Sequence, residues 1–399
     1  MQANRAMAGE IALSFVTIQH LPQGRSMTRT LQTFLRRSRS ARRACLVLCA
    51  AALAVSGLMA VPASARTAPD PSQREGYHYY EVGDLDAARP AATQPGLMLV
   101  GGGDWPYDAF RWMIEKAGHG RIVILRASGA NEAQDEFFKD LGGITAAQTL
   151  VFEDRRAASD PQVLDIVGKA DGIFIAGGDQ SNYVNYWKGT PLNEALNRHV
   201  REGKPLGGTS AGLAIMGAYS YGAMDGGSLL SEDALEDPMG AAVTLVDDFL
   251  QLPPLPARQV ITDSHFGKRD RLGRLIVFVA RLAQQQSTST IKGIGVDENT
   301  ALCIDGDGVG KVFSGNGGSA WLVVPQALLE LRVKDGSREF REFMKGRLEA
   351  GQALDFPGFT VTGIGTESRL SVPGFAVKNP SFQLAADVIR GRLVVRPLD

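Results

Sequence analysis

A serine on a glycine turn is the residue of this chain best placed to do chemistry. Gly207-Gly208-Thr209-Ser210-Ala211-Gly212 follows the apolar Lys204-Pro205-Leu206 and runs into Leu213-Ala214-Ile215-Met216. That order reads as a short strand, a sharp turn and a helix start. Gly208 to Gly212 fits Gly-x-Ser-x-Gly, the pattern in which a strained strand-to-helix turn lifts a serine hydroxyl out of a sheet. Glycines two before and two after the serine let neighbouring backbone pack closely. The backbone N–H of Ala211, at the helix N-terminus, then faces any oxyanion that forms. A glycine-rich turn carrying an ordinary serine fits the same five residues.

A serine nucleophile needs a base. Beyond the leader described below, the histidines are His78, His119, His199 and His265. His119 sits in a Gly-His-Gly turn, His78 among tyrosines, and His199 on a polar helix where a solvated surface position is expected. His265 ends the strand-like Val260-Ile261-Thr262-Asp263-Ser264 and follows the nucleophile in sequence, which makes it the best base. For the carboxylate that orients it, Asp225, Glu232, Asp233, Glu236 and Asp237 lie between Ser210 and His265. Asp263 and Glu298 lie outside that interval, and pattern alone does not choose. Gly177-Gly178-Asp179-Gln180 offers a second oxyanion donor from its backbone and a polar rim from Gln180. No His-Glu-x-x-His pair is present, so no metal is expected. Gly101-Gly102-Gly103 fails the dinucleotide pattern because Pro106 takes the third glycine's place, so no cofactor is expected either.

The elements that must position these residues are short apolar strands alternating with helices. Leu97-Met98-Leu99-Val100, Ile122-Val123-Ile124-Leu125, Thr149-Leu150-Val151-Phe152 and Gly172-Ile173-Phe174-Ile175-Ala176 read as strands. Helices are expected around residues 110–114, 163–167, 192–200 and 268–285. The class is α/β, a mostly parallel sheet flanked by helices, with its site beyond the strand C-termini. Residues 328–348 read as helical, and residues 359–362 and 393–395 as strands of a small β-rich C-terminal extension.

The chain has 399 residues, 44% of them hydrophobic, and a formal net charge of -1. A globular core is assured, and nothing in the charge favours nucleic acid or a membrane surface. Arg36-Arg37, Arg39, Arg42 and Arg43 precede the uncharged apolar residues 44–60 and an Ala-x-Ala site ending at Ala65. This reads as a cleaved secretory signal, with Met27 as candidate initiator and a secreted or periplasmic product. The expected division is a signal region over residues 1–65, a linker over 66–95, a catalytic domain over 96–325 and the extension over 326–399. Cys303, in an apolar run, is expected to be a buried small hydrophobe.

Four stretches together resemble the cyanophycinase and aspartyl dipeptidase (dipeptidase E) serine peptidases. They are Ala176-Gly177-Gly178-Asp179-Gln180, the Ser210 elbow, Asp263-Ser264-His265-Phe266 with Arg269, Arg271 and Arg274, and Gly293-Ile294-Gly295-Val296-Asp297-Glu298-Asn299-Thr300-Ala301. The resemblance implies a fold like that of class I glutamine amidotransferases, with Ser210 as nucleophile and His265 as base. The acid is placed at Glu232, after Gly226-Gly227-Ser228, with Asp225 in reserve. Gly178 or Asp179 joins Ala211 in the oxyanion hole, and Gln180, Asp263, Arg269, Arg271 and Arg274 line the substrate. The substrate implied is an acidic, aspartyl peptide, either cyanophycin cut to β-aspartyl-arginine or short α- or β-aspartyl peptides. Ser264 departs from the pattern, since cyanophycinases often carry glutamine there. A homodimer is the assembly kept open. The rival classes are an α/β-hydrolase esterase and a non-catalytic periplasmic binding protein.

Overall fold

The structure is a computed structural model and describes residues 72–129, 133–288, 290–326, 328–334, 337–343 and 348–398. The leader, with its basic and apolar segments, lies outside the described residues. Five parallel strands form the centre of an 11-stranded sheet, in the order Ala146–Phe152, Arg121–Arg126, Gly172–Ile175, Leu206–Thr209 and Gly96–Val100. Their apolar runs are continuous because both faces are covered. Leu97, Leu99, Val123, Leu125, Ile173 and Ile175 enter one core. Met98, Val100, Ile122, Ile124 and Phe174 enter another, under the helix Tyr107–Lys116. This is the period-2 alternation of a strand with two buried faces.

The parallel reading holds for these five strands and not for the sheet as a whole. Tyr77–Gly83 adds antiparallel to Ala146–Phe152. Thr300–Asp305 adds antiparallel to Gly96–Val100 and leads on to further antiparallel strands.

A second, 8-stranded sheet carries His265. Val260–Asp263 runs parallel to both Tyr219–Tyr221 and Lys292–Val296. Beyond them Ala320–Pro325, Phe356–Ile364, Phe382–Ile389 and Arg392–Pro397 pair antiparallel in succession. The stretch read from sequence as an extension therefore continues the sheet of His265, and Ala68–Asp399 is one compact unit. The helix Leu272–Gln285 packs its apolar face on this sheet.

One expected helix is corrected. Residues 328–348 include the antiparallel hairpin of Leu328–Lys334 and Ser337–Phe343. Leu329, Leu331 and Val333 alternate with Glu330, Arg332 and Lys334, which is a strand's period of two rather than a 3.6-residue period.

Candidate active site

Ser210 sits in a conformation that L-residues rarely adopt, with φ 54° and ψ −113°. Its amide bonds Val100 O at 3.1 Å and its carbonyl accepts from Ala214 N at 2.9 Å, so the strained turn is held at both ends. The flanking glycines are required by space. A Cβ on Gly212 would lie 2.2 Å from Ile175 O, and one on Gly208 would lie 2.8 Å from the Gly212 backbone. Strain of this kind persists only where the surroundings over-determine it, as at a reacting residue.

His265 comes from the other sheet, two residues past Val260–Asp263. Its amide bonds Gly101 O at 2.7 Å, which ties the loop to the end of the strand Gly96–Val100. The imidazole Nε2 is 2.7 Å from Ser210 Oγ. The ring lies over Gly102, whose absent Cβ would be 2.3 Å from Cε1. Burial pushes the imidazole pKa below its ordinary value, the bond to Glu298 opposes this, and the cations Arg269 and Arg271 lower it further. His265 is therefore neutral at neutral pH and free to take a proton.

The carboxylate against Nδ1 is Glu298, at 2.7 Å. Glu232, the residue expected there, is instead exposed on the short helix Ser231–Glu236. That helix is fixed by Ala234 and Leu235, which are buried, and by Ser231 Oγ, which donates to Asp270 O and accepts from Arg274 N. Glu232 is left on the solvent side, and Asp225 is likewise exposed. The sequence offers Glu298 only as a candidate outside the Ser210–His265 interval, and the resemblance places the acid after Gly226-Gly227-Ser228 instead. It stands two residues past Lys292–Val296, the strand beside that of His265, and strand adjacency rather than chain order brings the pair together. Asp297 secures the turn: Oδ1 accepts from Gly267 N at 2.9 Å and Trp321 Nε1 at 3.0 Å, and Oδ2 from Ser319 N at 3.0 Å.

The three arginines do different things. Arg274 is fully buried and grips Asp263 through Nε at 2.7 Å and Nη2 at 2.5 Å, with Nη1 on Ser228 Oγ and Leu229 O. Its guanidinium also lies over Tyr221, 5.1 Å from the ring centroid. Neither Arg274 nor Asp263 can serve a substrate, which corrects the expectation for both. Arg271 faces the cleft yet is buried, bonded to Ser264 O at 2.8 Å and Ser228 Oγ at 3.1 Å, and burial pushes its pKa down to about 10. Arg269 is exposed at the rim, and its guanidinium has no partner among the described residues.

Gly178, Asp179 and Gln180 line the same cleft, which holds about 400 Å³ and has Ser210 and Ala211 among its lining residues. The Asp179 amide is already bonded to Ser128 Oγ at 3.1 Å, so of the two expected donors on this turn only the Gly178 amide is unbonded among the described residues. The Asp179 carboxylate caps the following helix through Ser181 N. His199, expected at the surface, is buried on Pro191–Arg201 and bonds Pro205 O at 3.0 Å. Cys303 is buried. Among the described residues no group of three or more metal-ligating side chains occurs, and no helix is long and apolar enough to cross a membrane.

A hydroxyl, an imidazole and a carboxylate in series at 2.7 Å each, with uncommitted amides and a cation beside them, can carry out acyl transfer. Comparison with known proteins finds peptidases. Residues 130–312 match Peptidase family S51. A cyanophycinase of Trichormus variabilis is 28% identical over 255 residues, covering 61% of this chain and 78% of the relative. A cyanophycinase of Synechococcus elongatus is 33% identical over 208 residues, covering 51% and 58%. Among solved structures, a peptidase from an acI-B1 Actinobacterium aligns with 63% of this chain and 98% of its own at a TM-score of 0.39 and 20% identity.

Proposed function

We propose that the chain, whose residues 130–312 match Peptidase family S51, is a serine-type peptidase that hydrolyses aspartyl peptides through Ser210, His265 and Glu298. The observation that carries the reading is the hydrogen-bonded series Ser210–His265–Glu298 opening on a cleft whose one uncommitted cation is Arg269. As Ser210 Oγ attacks the acyl carbon, His265 Nε2 takes its proton. Glu298 accepts from Nδ1–H, fixes the tautomer and stabilises the imidazolium. The Gly178 and Ala211 amides receive the oxyanion. Nε2 returns the proton to the leaving amine, and water attacks the acyl-enzyme by the same route in reverse.

Substrate class follows from charge. Arg271 and Arg274 share one internal carboxylate, Asp263, and the cleft lining sets Arg269 and Arg271 against the single carboxylate of Asp179, so the cleft wall keeps a positive excess. Arginine binds carboxylates through a planar fork, and an acidic peptide such as a polyaspartate backbone or a β-aspartyl dipeptide matches it. The fold is read as glutamine amidotransferase-like, and the leader as a signal for export. The test is kcat/KM on β-aspartyl, α-aspartyl and matched neutral peptides for wild type and Arg269→Lys. A loss confined to the acidic substrates supports the assignment, and an equal loss on all three removes it.

A further inference from the structure

Two side chains outside the Ser210–His265–Glu298 series hold the turn that lies against the nucleophile. The turn follows Gly172–Ile175 and contains Gly177, Gly178 and Asp179. Tyr183, fully buried on the helix Gln180–Trp187, donates its hydroxyl between Ala176 O at 2.7 Å and Gly177 O at 3.2 Å. Its ring stacks on Trp187 with centroids 4.4 Å apart, which fixes where the hydroxyl stands. Ser128, two residues beyond Arg121–Arg126, takes the next peptide through its bond from Asp179 N. Gly178 has φ +148°, and a Cβ there would lie 2.1 Å from Ser128 Oγ and 3.6 Å from Tyr183 Oη.

The consequence is directional. In a trans peptide the C=O and the N–H point opposite ways. A Gly177 carbonyl anchored on the Tyr183 hydroxyl therefore turns the Gly178 N–H away from Tyr183. Gly177 itself borders the nucleophile: a Cβ on it would be 3.3 Å from Ser210 Cβ and 3.8 Å from Oγ. A phenylalanine would fill the same core volume without a polar atom to satisfy. The hydroxyl is costly to bury unless bonded, and the bonds it makes are to the two carbonyls leading into this turn.

We propose that Tyr183 and Ser128 are positioning residues for the oxyanion donor, together setting the two peptides of the turn so that the Gly178 N–H meets the charge developing on the acyl oxygen. This rests on the acyl-transfer reading above. An oxyanion donor acts only when pre-aimed at where charge develops. The pair acts on the transition state and leaves ground-state binding alone.

The experiment compares wild type, Tyr183→Phe, Ser128→Ala and the double variant. Three quantities are read: kcat and KM on an aspartyl peptide, the rate of Ser210 phosphonylation by a fluorophosphonate, and the thermal midpoint. Phosphonylation places an oxygen at the same donors without needing an aspartyl side chain, and fluoride leaves. Tyr183→Phe is expected to lower kcat and the phosphonylation rate by about 10–100-fold, less than outright removal of a donor, with KM within about twofold. Ser128→Ala should lower both rates, and the double variant should fall by less than the product of the two, because both groups hold one turn. Wild-type rates in either folded single variant, or a loss in kcat/KM carried wholly by KM, would overturn the proposal. A wild type that fluorophosphonate does not label would overturn the acyl-transfer reading and the proposal with it. Labelling at equal rates in all four proteins would overturn the proposal alone.

Discussion

At the scale of single residues, distance favours Glu298 over Glu232 as the partner of His265, and kinetics can test it. Glu298→Gln keeps the shape and loses the charge behind the imidazolium. Its kcat should fall by about 10⁴-fold, as when a triad acid becomes its amide. Glu232→Gln, on an exposed face, should stay within about twofold. The reverse ranking would return the acid to the segment after Gly226-Gly227-Ser228. A second prediction concerns pH. Burial pushes His199 down to about 4 from its ordinary 6.5 and lowers His265 as well. In both cases the unfolded chain takes up a proton before the folded one does. The stability concerned is therefore present above the unfolded value and lost as pH falls from 6.5 toward 4. For His199 alone the loss amounts to roughly 3 kcal/mol. Urea midpoints at pH 7 and pH 5 should drop in wild type and drop less in His199→Gln. Identical pH slopes would assign the effect to other groups.

Elements explain what could and could not be read beforehand. The Ser210 elbow, its strand and the Gly177-Gly178 turn were legible because glycine spacing and apolar runs are local signals. His265 was legible because it ends a strand. Glu298 was open to the same reasoning, since it too follows a strand end. The resemblance of Gly226-Gly227-Ser228 to the family's segment drew the acid to Glu232 instead, and pairing of Val260–Asp263 with Lys292–Val296 is a non-local fact. Among the three arginines, Arg274 was misread for a related reason. Their shared helix start says that Arg271 and Arg274 are neighbours, while the choice between solvent, substrate and Asp263 is made by the strand beneath. A buried ion pair broken on one side leaves an uncompensated charge. Asp263→Asn should therefore cost about 3–5 kcal/mol of stability, whereas Arg269→Ala should leave the thermal midpoint unchanged and act on KM. Chemical denaturation of the two variants separates these roles, and an Asp263→Asn protein as stable as wild type would show that the pair contributes little.

On the scale of the whole molecule, Ser210 and His265 belong to different sheets. Ser210 follows a central strand of the larger sheet, and His265 and Glu298 follow adjacent strands of the smaller one. The smaller sheet is completed by the C-terminal residues: Phe356, Phe359, Val361, Ala386 and Val388 are buried in the core beneath Leu272–Gln285. Ending the chain after residue 326 would strip Phe356–Ile364 from Ala320–Pro325 and open that core. The truncated protein should be insoluble or unable to react with fluorophosphonate. A soluble, fully reactive product would mean that the last strands are dispensable.

The ring of His265 over Gly102 also bears on how such a site is inherited. Every missense change at a glycine codon specifies a residue with a Cβ, and here a Cβ falls 2.3 Å from the imidazole. Drift at this position has no mild step, although Gly102 carries no functional group and would escape any survey of polar side chains. Descendants that keep Ser210, His265 and Glu298 but replace Gly102 should be inactive genes in transition. Gly102→Ala made in this chain should show it directly, with fluorophosphonate labelling lost while all three polar residues remain. Retention of labelling would mean that the loop can retreat without disturbing the base.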